Sequence, residues 1–359
     1  MRDRLARTTL CLPTTFFPSS TKGVSMKRFL AATAFALLPA LSMAQAEYNL
    51  RWAHYLPDGP FLEVENQFAK NVEQRTNGKV KINATYAGGL GNVSEILALA
   101  GRGAVDFATA PAGYYPDRLP LWKASQLPFV FESPKQAIET LQTLRKEFPS
   151  FDAEMKKMGI RFLFQQPLGS YYFLGNQAGC DTLAGINGKK VRAFGADIPK
   201  IVSAAGGVPV TLSTTEMYEG LQRGVVDYAN ADVGNLASLK LYEVGNKICG
   251  PIMTFTGHMM AVSDRTWTRL PKEYQDIIAE EAAAAQQRYL EWVDANNQKA
   301  IGVINEAGIE IVPFNPDDMA KWKAAAPDLI EGWVRESAKR GQGDEAAKIA
   351  ARWRELLAQ

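Results

Sequence analysis

The sequence has few of the residues on which enzyme and metal chemistry most often depend. It contains two histidines, His54 and His258, and three cysteines, and it has no HExxH, CxxC, GxSxG or EF-hand pattern. Neither histidine lies at metal-ligand spacing to another ligand, and a lone histidine in an apolar strand is more often a hydrogen-bonded core residue than a catalytic one. We therefore expect a protein without catalytic activity, cofactor or metal ion.

The chain also lacks the excess of positive charge that is typical of a nucleic-acid binder. Its formal net charge is +2, but residues 1–46 hold six basic residues and one acidic residue. Without that segment the net charge falls to about −3. The remaining chain is mildly acidic, so no nucleic-acid partner is expected.

The N-terminal segment has the layout of a secretory signal peptide. Met26-Lys27-Arg28 is a basic start, the run from Phe29 to Met43 is apolar, and Ala44-Gln45-Ala46 is a cleavage site of the A-x-A type. The apolar run is too short for a comfortable membrane span. We expect residues 26–46 to be removed on export to the periplasm and residues 1–25 to be an upstream extension, with an unusually long leader as the alternative.

Two cysteines remain after the predicted cleavage, Cys180 and Cys249. A pair of cysteines in an oxidising compartment can form a disulfide, and two separate buried thiols are the alternative. The sequence alone leaves both open, because a bridge requires the two Cα atoms to approach closely.

One stretch of the sequence occurs twice. Residues 102–110 read RGAVDFATA and residues 223–231 read RGVVDYANA, and the shared glycines, Gly103 and Gly224, are 121 positions apart. In each copy the glycine supplies the left-handed conformation that ends a helix, and a β-rich run follows it. The preceding helices begin with capping-box patterns, Asn92-x-x-Glu95 and Ser213-x-x-Glu216. The spacing is too long for a solenoid repeat and predicts two similar α/β lobes with a cleft between them.

The rest of the pattern is that of a mixed α/β protein without a low-complexity linker, so the two lobes are expected to interleave. Residues 271–305 have no internal proline and predict one helix of about 30 residues, on the order of 45 Å long, which could span both lobes. We assign residues 47–168 and 261–301 to lobe I, and residues 169–260 and 302–359 to lobe II. Three further predictions are a strand or extended segment at 127–131, a helical region over 134–158 and an apolar, extended region over 252–262.

Arg192 is the side chain that most suggests a binding site. It lies where a predicted strand ends, and ligands of α/β sheets bind beyond the carboxyl ends of strands. A planar guanidinium at that place can hold a carboxylate through two hydrogen bonds. Taken alone, an arginine in a structural salt bridge is the simpler interpretation. Asp106 and Asp227, which follow the repeated glycines, are expected to shape the helix-to-strand turn rather than to act as an acid–base pair.

Seven segments between Tyr48 and His258 carry a resemblance to a known family. They are Phe68-Ala69-x-x-Val72-Glu73-x-x-Thr76-x-Gly78-Lys79-Val80, Gly89-Leu90-Gly91, Leu97-x5-Gly103-x2-Asp106, Leu127-Pro128-Phe129, Gly188-Lys189-Lys190-Val191-Arg192, Met217-Tyr218-x2-Leu221-Gln222-x-Gly224-Val225-Val226-Asp227 and Thr256-Gly257-His258. In this order, behind a signal peptide, they resemble the solute-binding proteins of tripartite ATP-independent periplasmic (TRAP) transporters, the C4-dicarboxylate-binding-protein-like family.

The resemblance implies a two-lobed periplasmic binding protein fold that closes over an organic acid and delivers it to a membrane permease. It implies that Arg192 holds the ligand carboxylate. The place of a second family arginine holds Tyr171 in this chain. The resemblance therefore favours a monocarboxylate with a neutral, hydroxylated or aromatic tail, or a sulfonate, over a dicarboxylate.

The resemblance also implies further contacts on both sides of the cleft. In lobe II, Asn230 is the expected hydrogen-bonding partner, Asp232 is the second choice and Thr214 lies at a helix start. Asp232 would repel an anion unless the ligand carries a positive group or hydroxyls. In lobe I, Tyr55 and Asn92 match contact positions, with a simple helix cap as the alternative for Asn92. Two other functions remain open at this point: a periplasmic sensory receptor of the same fold, and a periplasmic enzyme of unrecognised type.

Overall fold

The computed structural model describes residues 47–358, which form two β-sheets flanked by helices. The predicted signal peptide and upstream extension lie outside these residues. The strands, in chain order, are β1 (Tyr48–His54), β2 (Val80–Thr85), β3 (Phe107–Ala110), β4 (Ile160–Pro167), β5 (Tyr171–Gly175), β6 (Lys190–Ala193), β7 (Val208–Thr211), β8 (Tyr228–Asp232), β9 (Lys247–Met253), β10 (Thr256–Ser263) and β11 (Ile311–Val312).

The helices surround both sheets. In chain order they are α1 (Glu63–Arg75), α2 (Ile96–Gly101), α3 (Pro134–Glu147), α4 (Ser150–Lys157), α5 (Leu183–Ile186), α6 (Ile198–Ala204), α7 (Met217–Gln222), α8 (Val233–Ser238), α9 (Asp264–Arg269), α10 (Lys272–Glu306), α11 (Pro316–Ala325), α12 (Leu329–Ala338) and α13 (Gly343–Leu357). Short 3-10 turns occur at Pro60–Leu62, Ala112–Tyr114, Trp122–Gln126 and Leu241–Glu243. None of the helices within residues 47–358 is long and apolar enough to cross a membrane.

Each sheet is the centre of one lobe, and the chain passes between them more than once. The first sheet has the strand order β2-β1-β3-β10-β4, and the second has the order β11-β9-β5-β8-β6-β7. In the first, β1 runs parallel to β2 and β3 while β10 is antiparallel to its neighbours. In the second, β6 runs parallel to β7 and β8, and β5 is antiparallel to β8 and β9. The predicted two-lobed α/β fold with interleaved lobes is confirmed.

The long helix α10 belongs to both lobes, as predicted. It has 35 residues and is therefore about 52 Å long at 1.5 Å per residue. Its first part buries Ile278 and Tyr289 in the core of the first lobe, whereas Ala300 and Ile304 pack into the core of the second. One apolar stripe thus serves two cores, which explains a helix longer than either lobe requires.

The two repeated segments build equivalent units in the two lobes. Gly103 and Gly224 have φ angles of 75° and 67°, the left-handed region that glycine adopts without a steric penalty. Asp106 accepts a hydrogen bond of 2.7 Å from the backbone N–H of Arg51. In the same way Asp227 accepts one of 2.7 Å from Lys190. Each aspartate therefore ties its turn to the neighbouring parallel strand, and both are structural.

The helix starts of the two copies differ from each other. Glu216 accepts a hydrogen bond of 2.7 Å from the backbone N–H of Ser213, which is half of the predicted capping box. In the first copy, the side chain of Asn92 accepts from the N–H of Ser94 at 3.0 Å. That contact makes a local turn two residues on, so the predicted capping box is absent there and α2 begins only at Ile96.

One local prediction was wrong, and two others were right except for a break inside the predicted region. Residues 127–131 form a turn instead of an extended segment, with Phe129 at a φ of 64°. The region predicted as helical over 134–158 is helical but divided into α3 and α4, because Pro149 has no N–H to donate and disfavours a helical conformation at Phe148. The region predicted as extended over 252–262 is extended, but it is divided between β9 in the second sheet and β10 in the first.

The C-terminal helices contact elements of both lobes. Helix α11 packs on α5 and α6 beside the second sheet, whereas α13 packs on α3 beside the first. On α12, the indole N–H of Trp333 donates to the carbonyl of Pro120 at 2.7 Å. The predicted division between the lobes, at residues 260 and 261, falls inside β10. The placement of residues 302–359 in lobe II stays a prediction, and the contacts above indicate that these residues also pack on the first lobe.

Cys180 and Cys249 are joined by a disulfide, with their Cα atoms 5.7 Å apart. Cys180 lies in the loop after β5, and Cys249 lies on β9. The bond therefore fastens this loop to the second sheet, and both residues are buried.

Candidate functional site

Arg192 lies on β6 at the centre of the candidate site and is 2% exposed. Its Nε donates to the carbonyl of Leu212 at 3.0 Å, and Nη1 donates to the carbonyl of Asn230 at 2.9 Å. Nη2 makes only long contacts of 3.4 Å with the hydroxyls of Tyr114 and Thr214. The backbone bonds fix the guanidinium plane, and the end that bears Nη2 is held loosely.

Arg192 forms no salt bridge in the part of the chain that the structure describes, and its charge is the smallest of the effects on Glu216, whose pKa is lowered mainly by hydrogen bonds with Ser213. No carboxylate in this part of the chain lies within 4.0 Å of the guanidinium, so the alternative of a structural salt bridge does not apply. Burying an unpaired ion costs several kcal/mol. A guanidinium also has five N–H donors, so capacity remains for a bidentate carboxylate.

Aromatic rings surround the guanidinium. Its central carbon lies 4.2 Å from the ring centroid of Phe194, within the range of a cation–π contact. Tyr171, on β5, packs against Phe255 at 4.5 Å and against Phe194 at 6.3 Å between ring centroids. The hydroxyl of Tyr171 forms no hydrogen bond with another described residue, so it is free for a ligand.

The end of β8 brings two polar side chains into the same region. Asp232 pairs with Tyr171 across the two strands, and both are buried. Asn230 is fully buried, and neither its Oδ1 nor its Nδ2 has a partner within the described residues. Buried amides are almost always hydrogen-bonded, so an unpartnered one marks a place where a ligand or water completes the bonding.

Asp232 has an unusual environment for a carboxylate. Its Oδ1 accepts from the backbone N–H of Asn235 at 3.1 Å, and its Oδ2 accepts from the side-chain amide of the same residue. Burial raises the pKa of Asp232 to about 6, although the hydrogen bonds from Asn235 act in the opposite direction. The carboxylate is 1% exposed, and no cation lies within 4.0 Å of it among residues 47–358.

The first lobe faces this group with Tyr55 and Tyr114. Burial raises the pKa of Tyr55 well above its ordinary value, and the nearby Tyr114, Tyr171 and Asp232 raise it further. Gly113 and Gly195 approach so closely that a Cβ on Gly195 would lie 3.2 Å from the carbonyl oxygen of Gly113. Both tyrosines therefore belong to one site that includes residues of both sheets.

An ion network joins the lobes beside the site. The buried Lys123 lies 3.3 Å from Asp197 and 2.6 Å from Glu336. Lys200 also contacts both acids, at 2.7 and 3.0 Å. Lys123 precedes α3 in the first lobe, and Asp197 precedes α6 in the second, so the network connects the two lobes through α12.

Behind Tyr55 lies a fully buried group formed by His54, Glu65 and His258. Glu65 contacts Nε2 of His54 at 3.2 Å and Nε2 of His258, and it accepts the hydroxyl of Tyr289 at 2.5 Å. Burial alone would raise the pKa of Glu65, but the two histidines outweigh it and hold the pKa well below its usual range. Nδ1 of His258 lies 3.2 Å from the hydroxyl of Tyr55.

This group has the composition of a metal site, since its three potential ligand atoms lie within 4.8 Å of one another. Both inward-facing Nε2 atoms are hydrogen-bonded to Glu65. A carboxylate only accepts hydrogen bonds, so each Nε2 carries a proton in place of a lone pair for a metal. The arrangement is that of a hydrogen-bonded core group.

The structure brings together six of the seven predicted ligand-binding residues. They are Arg192, Tyr171, Asn230, Asp232, Tyr55 and Thr214, which are linked by the contacts given above. Asn92 is the exception: it is exposed, and its side chain bonds to Ser94. A ligand role for any of the seven stays a prediction.

Four residues of the site were not predicted from the sequence: Tyr114, Phe194, Phe255 and Glu65. Phe194 lies two positions after Arg192 on the same strand end, and this spacing was a usable signal. Glu65 meets His258 across 193 positions, and no local pattern indicates such a contact.

Two lobes, a helix shared by both, and a buried unpaired cation between them define a solute-binding protein. A family model described as bacterial extracellular solute-binding protein, family 7, matches residues 56–336, and the chain belongs to this family. The resemblance to TRAP transporter solute-binding proteins is thereby confirmed. The family consists of transport receptors and not of enzymes, in agreement with the prediction that the protein is not an enzyme.

The similarity extends over nearly whole proteins. A solute-binding protein of Chromohalobacter salexigens is 26% identical over 85% of this chain and 91% of its own length. The ectoine-binding periplasmic protein TeaA of Halomonas elongata is 24% identical over 88% of this chain and 93% of its length. Among solved structures, DctP7, a Bordetella pertussis extracytoplasmic solute receptor binding pyroglutamic acid, has a TM-score of 0.78 at 18% identity, over 85% of this chain and 99% of that one. A TRAP solute-binding protein of C. salexigens with bound D-glucuronate has a TM-score of 0.76 at 21% identity, over 86% and 99%.

Proposed function

We propose that the protein captures a small organic acid in the periplasm and delivers it to a TRAP permease, with Arg192 holding the ligand carboxylate. The observation that carries this proposal is the burial of Arg192 without a carboxylate within 4.0 Å in the described chain. A bound carboxylate would supply the missing counter-ion and replace the two long contacts at Nη2. The relatives that bind ectoine, pyroglutamic acid and D-glucuronate support an acid as the class of ligand.

A single carboxylate is favoured over two. Tyr171 stands where a second arginine would hold the other end of a dicarboxylate, and its hydroxyl is neutral. Lys123 is also buried, but Asp197 and Glu336 already compensate its charge. A second ligand carboxylate would therefore lie among aromatic rings and near Asp232, without a cation to stabilise it.

The remaining contacts would fix the orientation of the acid. Asn230 offers an unpartnered amide, and Thr214 lies beside the loosely held end of Arg192. Ligand binding would select the closed arrangement of the lobes, because residues of both lobes contact the site.

A thermal-shift screen against monocarboxylates, dicarboxylates and sulfonates tests the proposal, since a ligand stabilises the folded state by mass action. Monocarboxylates should raise the melting temperature, and Arg192→Ala should abolish the shift while the variant stays folded. Arg223→Ala is the matched control, because Arg223 is exposed and pairs with Glu219 on the surface. Binding that persists within a few-fold in Arg192→Ala would contradict the proposed role of this residue.

A further inference from the structure

A cavity of about 240 Å³ lies where the two lobes meet the shared helix α10. Its walls come from three parts of the chain: residues 56–61, which follow β1 in the first lobe, residues 234–239 at α8 in the second lobe, and residues 296–303 of α10. None of the seven predicted ligand-binding residues lines it. The cavity is therefore not the candidate site described above.

The two lobes are in direct contact at this cavity. Gly234 belongs to α8 and Phe61 to the first lobe, and both line the cavity. A Cβ on Gly234 would lie 2.5 Å from a ring carbon of Phe61 and 2.9 Å from Nδ2 of Asn296 on α10. Because these three elements touch, a molecule in the cavity would contact both lobes and the helix that they share.

Most of the side chains that line the cavity are apolar. They include Leu56, Pro57, Phe61, Leu239, Ala300 and Val303. An apolar cavity of about 150 Å³ is large enough to bind benzene. The present cavity therefore has room for one six-membered ring with a small substituent, and a rigid ring loses little conformational freedom on binding.

One buried polar group in the cavity wall has an atom without a partner. Asn235 is 5% exposed, and its Nδ2 and its backbone N–H both donate to Asp232. A carboxylate only accepts hydrogen bonds, so the amide turns Nδ2 toward Asp232 and keeps Oδ1 on its other side. This Oδ1 forms no hydrogen bond with another described residue. Buried amides are almost always hydrogen-bonded, so an O–H or N–H donor from an occupant would complete the bonding.

The exposed charges at the cavity are of opposite sign. Asp58 and Lys299 both line it, and both are exposed. Oδ1 of Asp58 already accepts hydrogen bonds from the N–H of Gly59 at 2.9 Å and from the side chain of Asn66 at 2.8 Å. Asp58 would repel an anion and Lys299 would repel a cation, whereas a neutral molecule avoids both effects.

We infer that this cavity is a second binding site, which takes a small neutral molecule of the phenol class: one apolar ring with one hydrogen-bond donor for Oδ1 of Asn235. The ring lies against side chains of both lobes, and the donor satisfies the buried amide. Binding here does not require a carboxylate at Arg192, so the inference does not rest on the proposed function.

Two compounds of nearly equal size provide the probes. In p-cresol a hydroxyl stands where p-xylene has a methyl group. Burying a hydroxyl without a hydrogen bond is unfavourable, so a purely apolar cavity would bind p-xylene more tightly. With Oδ1 of Asn235 as acceptor, p-cresol should bind more tightly than p-xylene by about threefold or more. Affinities are measured by calorimetry at pH 8, where Asp232, with a pKa of about 6, is ionised.

A variant that fills the cavity locates the binding. Val303→Phe places a larger side chain in the wall and should weaken both compounds at least tenfold. Ile301→Phe is the matched control, because Ile301 is also a partly buried residue of α10 but does not line the cavity. It should bind both compounds as the unmodified protein does.

A second variant tests the hydrogen bond. Asn235→Ala removes the amide and should reverse the preference, so that p-xylene binds more tightly than p-cresol. A loss of folding stability alone would not reverse a preference between two compounds of the same size. Val303→Phe keeps the inference testable if Asn235→Ala does not fold.

Arg192→Ala separates this site from the site of the acid. It should bind p-cresol with unchanged affinity, and a loss of that binding would place the compound at Arg192 and overturn the inference. Tighter binding of p-xylene than of p-cresol by the unmodified protein would also overturn it, as would equal binding in Val303→Phe or no binding of either compound.

Discussion

The buried carboxylate of Asp232 makes the stability of the ligand-free protein depend on pH. Its pKa is about 6 in the folded protein and 3.8 in an unperturbed chain. Because the pKa is higher in the folded state, the unfolded chain ionises first as the pH rises. The stability that the protonated carboxyl group provides is therefore fully present below pH 3.8 and is lost as the pH rises to about 6. The difference of about 2 units, at 1.36 kcal/mol per unit, corresponds to about 3 kcal/mol.

Asp232→Asn isolates this contribution. Asparagine keeps the helix-capping acceptor for the N–H of Asn235, and Asn235 can turn its unpartnered Oδ1 toward the new NH2. The variant cannot ionise, so its free energy of unfolding relative to the unmodified protein should rise by about 3 kcal/mol between pH 3.5 and pH 7.5. Urea unfolding at both pH values measures it.

Asp317→Asn serves as the control, since Asp317 is exposed on α11. Its stability relative to the unmodified protein should change little over the same pH interval. If the difference between Asp232→Asn and the unmodified protein were the same at both pH values, Asp232 would not be desolvated in the folded protein.

Two other predictions concern stability. Replacing both Cys180 and Cys249 by alanine opens a loop of 69 positions and should lower the free energy of unfolding by about 4 kcal/mol in the chain-entropy model, whereas an unchanged urea midpoint without reductant would contradict it. Gly224→Ala should cost about 1–2 kcal/mol for a left-handed residue, because its φ is 67° and no other atom lies within 4 Å of the added Cβ. Gly224→Asn should lower the free energy of unfolding by less than Gly224→Ala does. Equal losses of stability in the two variants would indicate a steric cause.

The parts of the fold that were predictable are those with a local chemical cause. Gly103 and Gly224 end their helices because only glycine reaches that conformation cheaply, and the absence of proline from 272–306 permits one long helix. Pro149 was an equally local signal of a helix break and was overlooked. The turn at 127–131 was not readable, because Phe129 adopts a left-handed conformation that its residue type disfavours.

The only parts of the site that could be predicted are those that follow from the positions of strand ends and from the family resemblance. Arg192, Asn230 and Asp232 lie near the ends of the neighbouring strands β6 and β8. Tyr55 contacts His258, which in turn contacts Glu65, and these residues come from distant parts of the chain. Such contacts depend on how the first lobe packs, and no spacing in the sequence records them.

The claim that Arg192 holds a carboxylate is tested most directly by a thermodynamic cycle. The best-binding monocarboxylate and its carboxamide are titrated by calorimetry into the unmodified protein and into Arg192→Met, which keeps much of the side-chain volume without the charge. Loss of a buried charge-assisted pair costs about 2–5 kcal/mol. The unmodified protein should therefore bind the acid more tightly than the carboxamide by a binding free energy of at least this size, and the variant should lose the preference. A coupling energy near zero, with acid and amide weakened equally, would contradict the account.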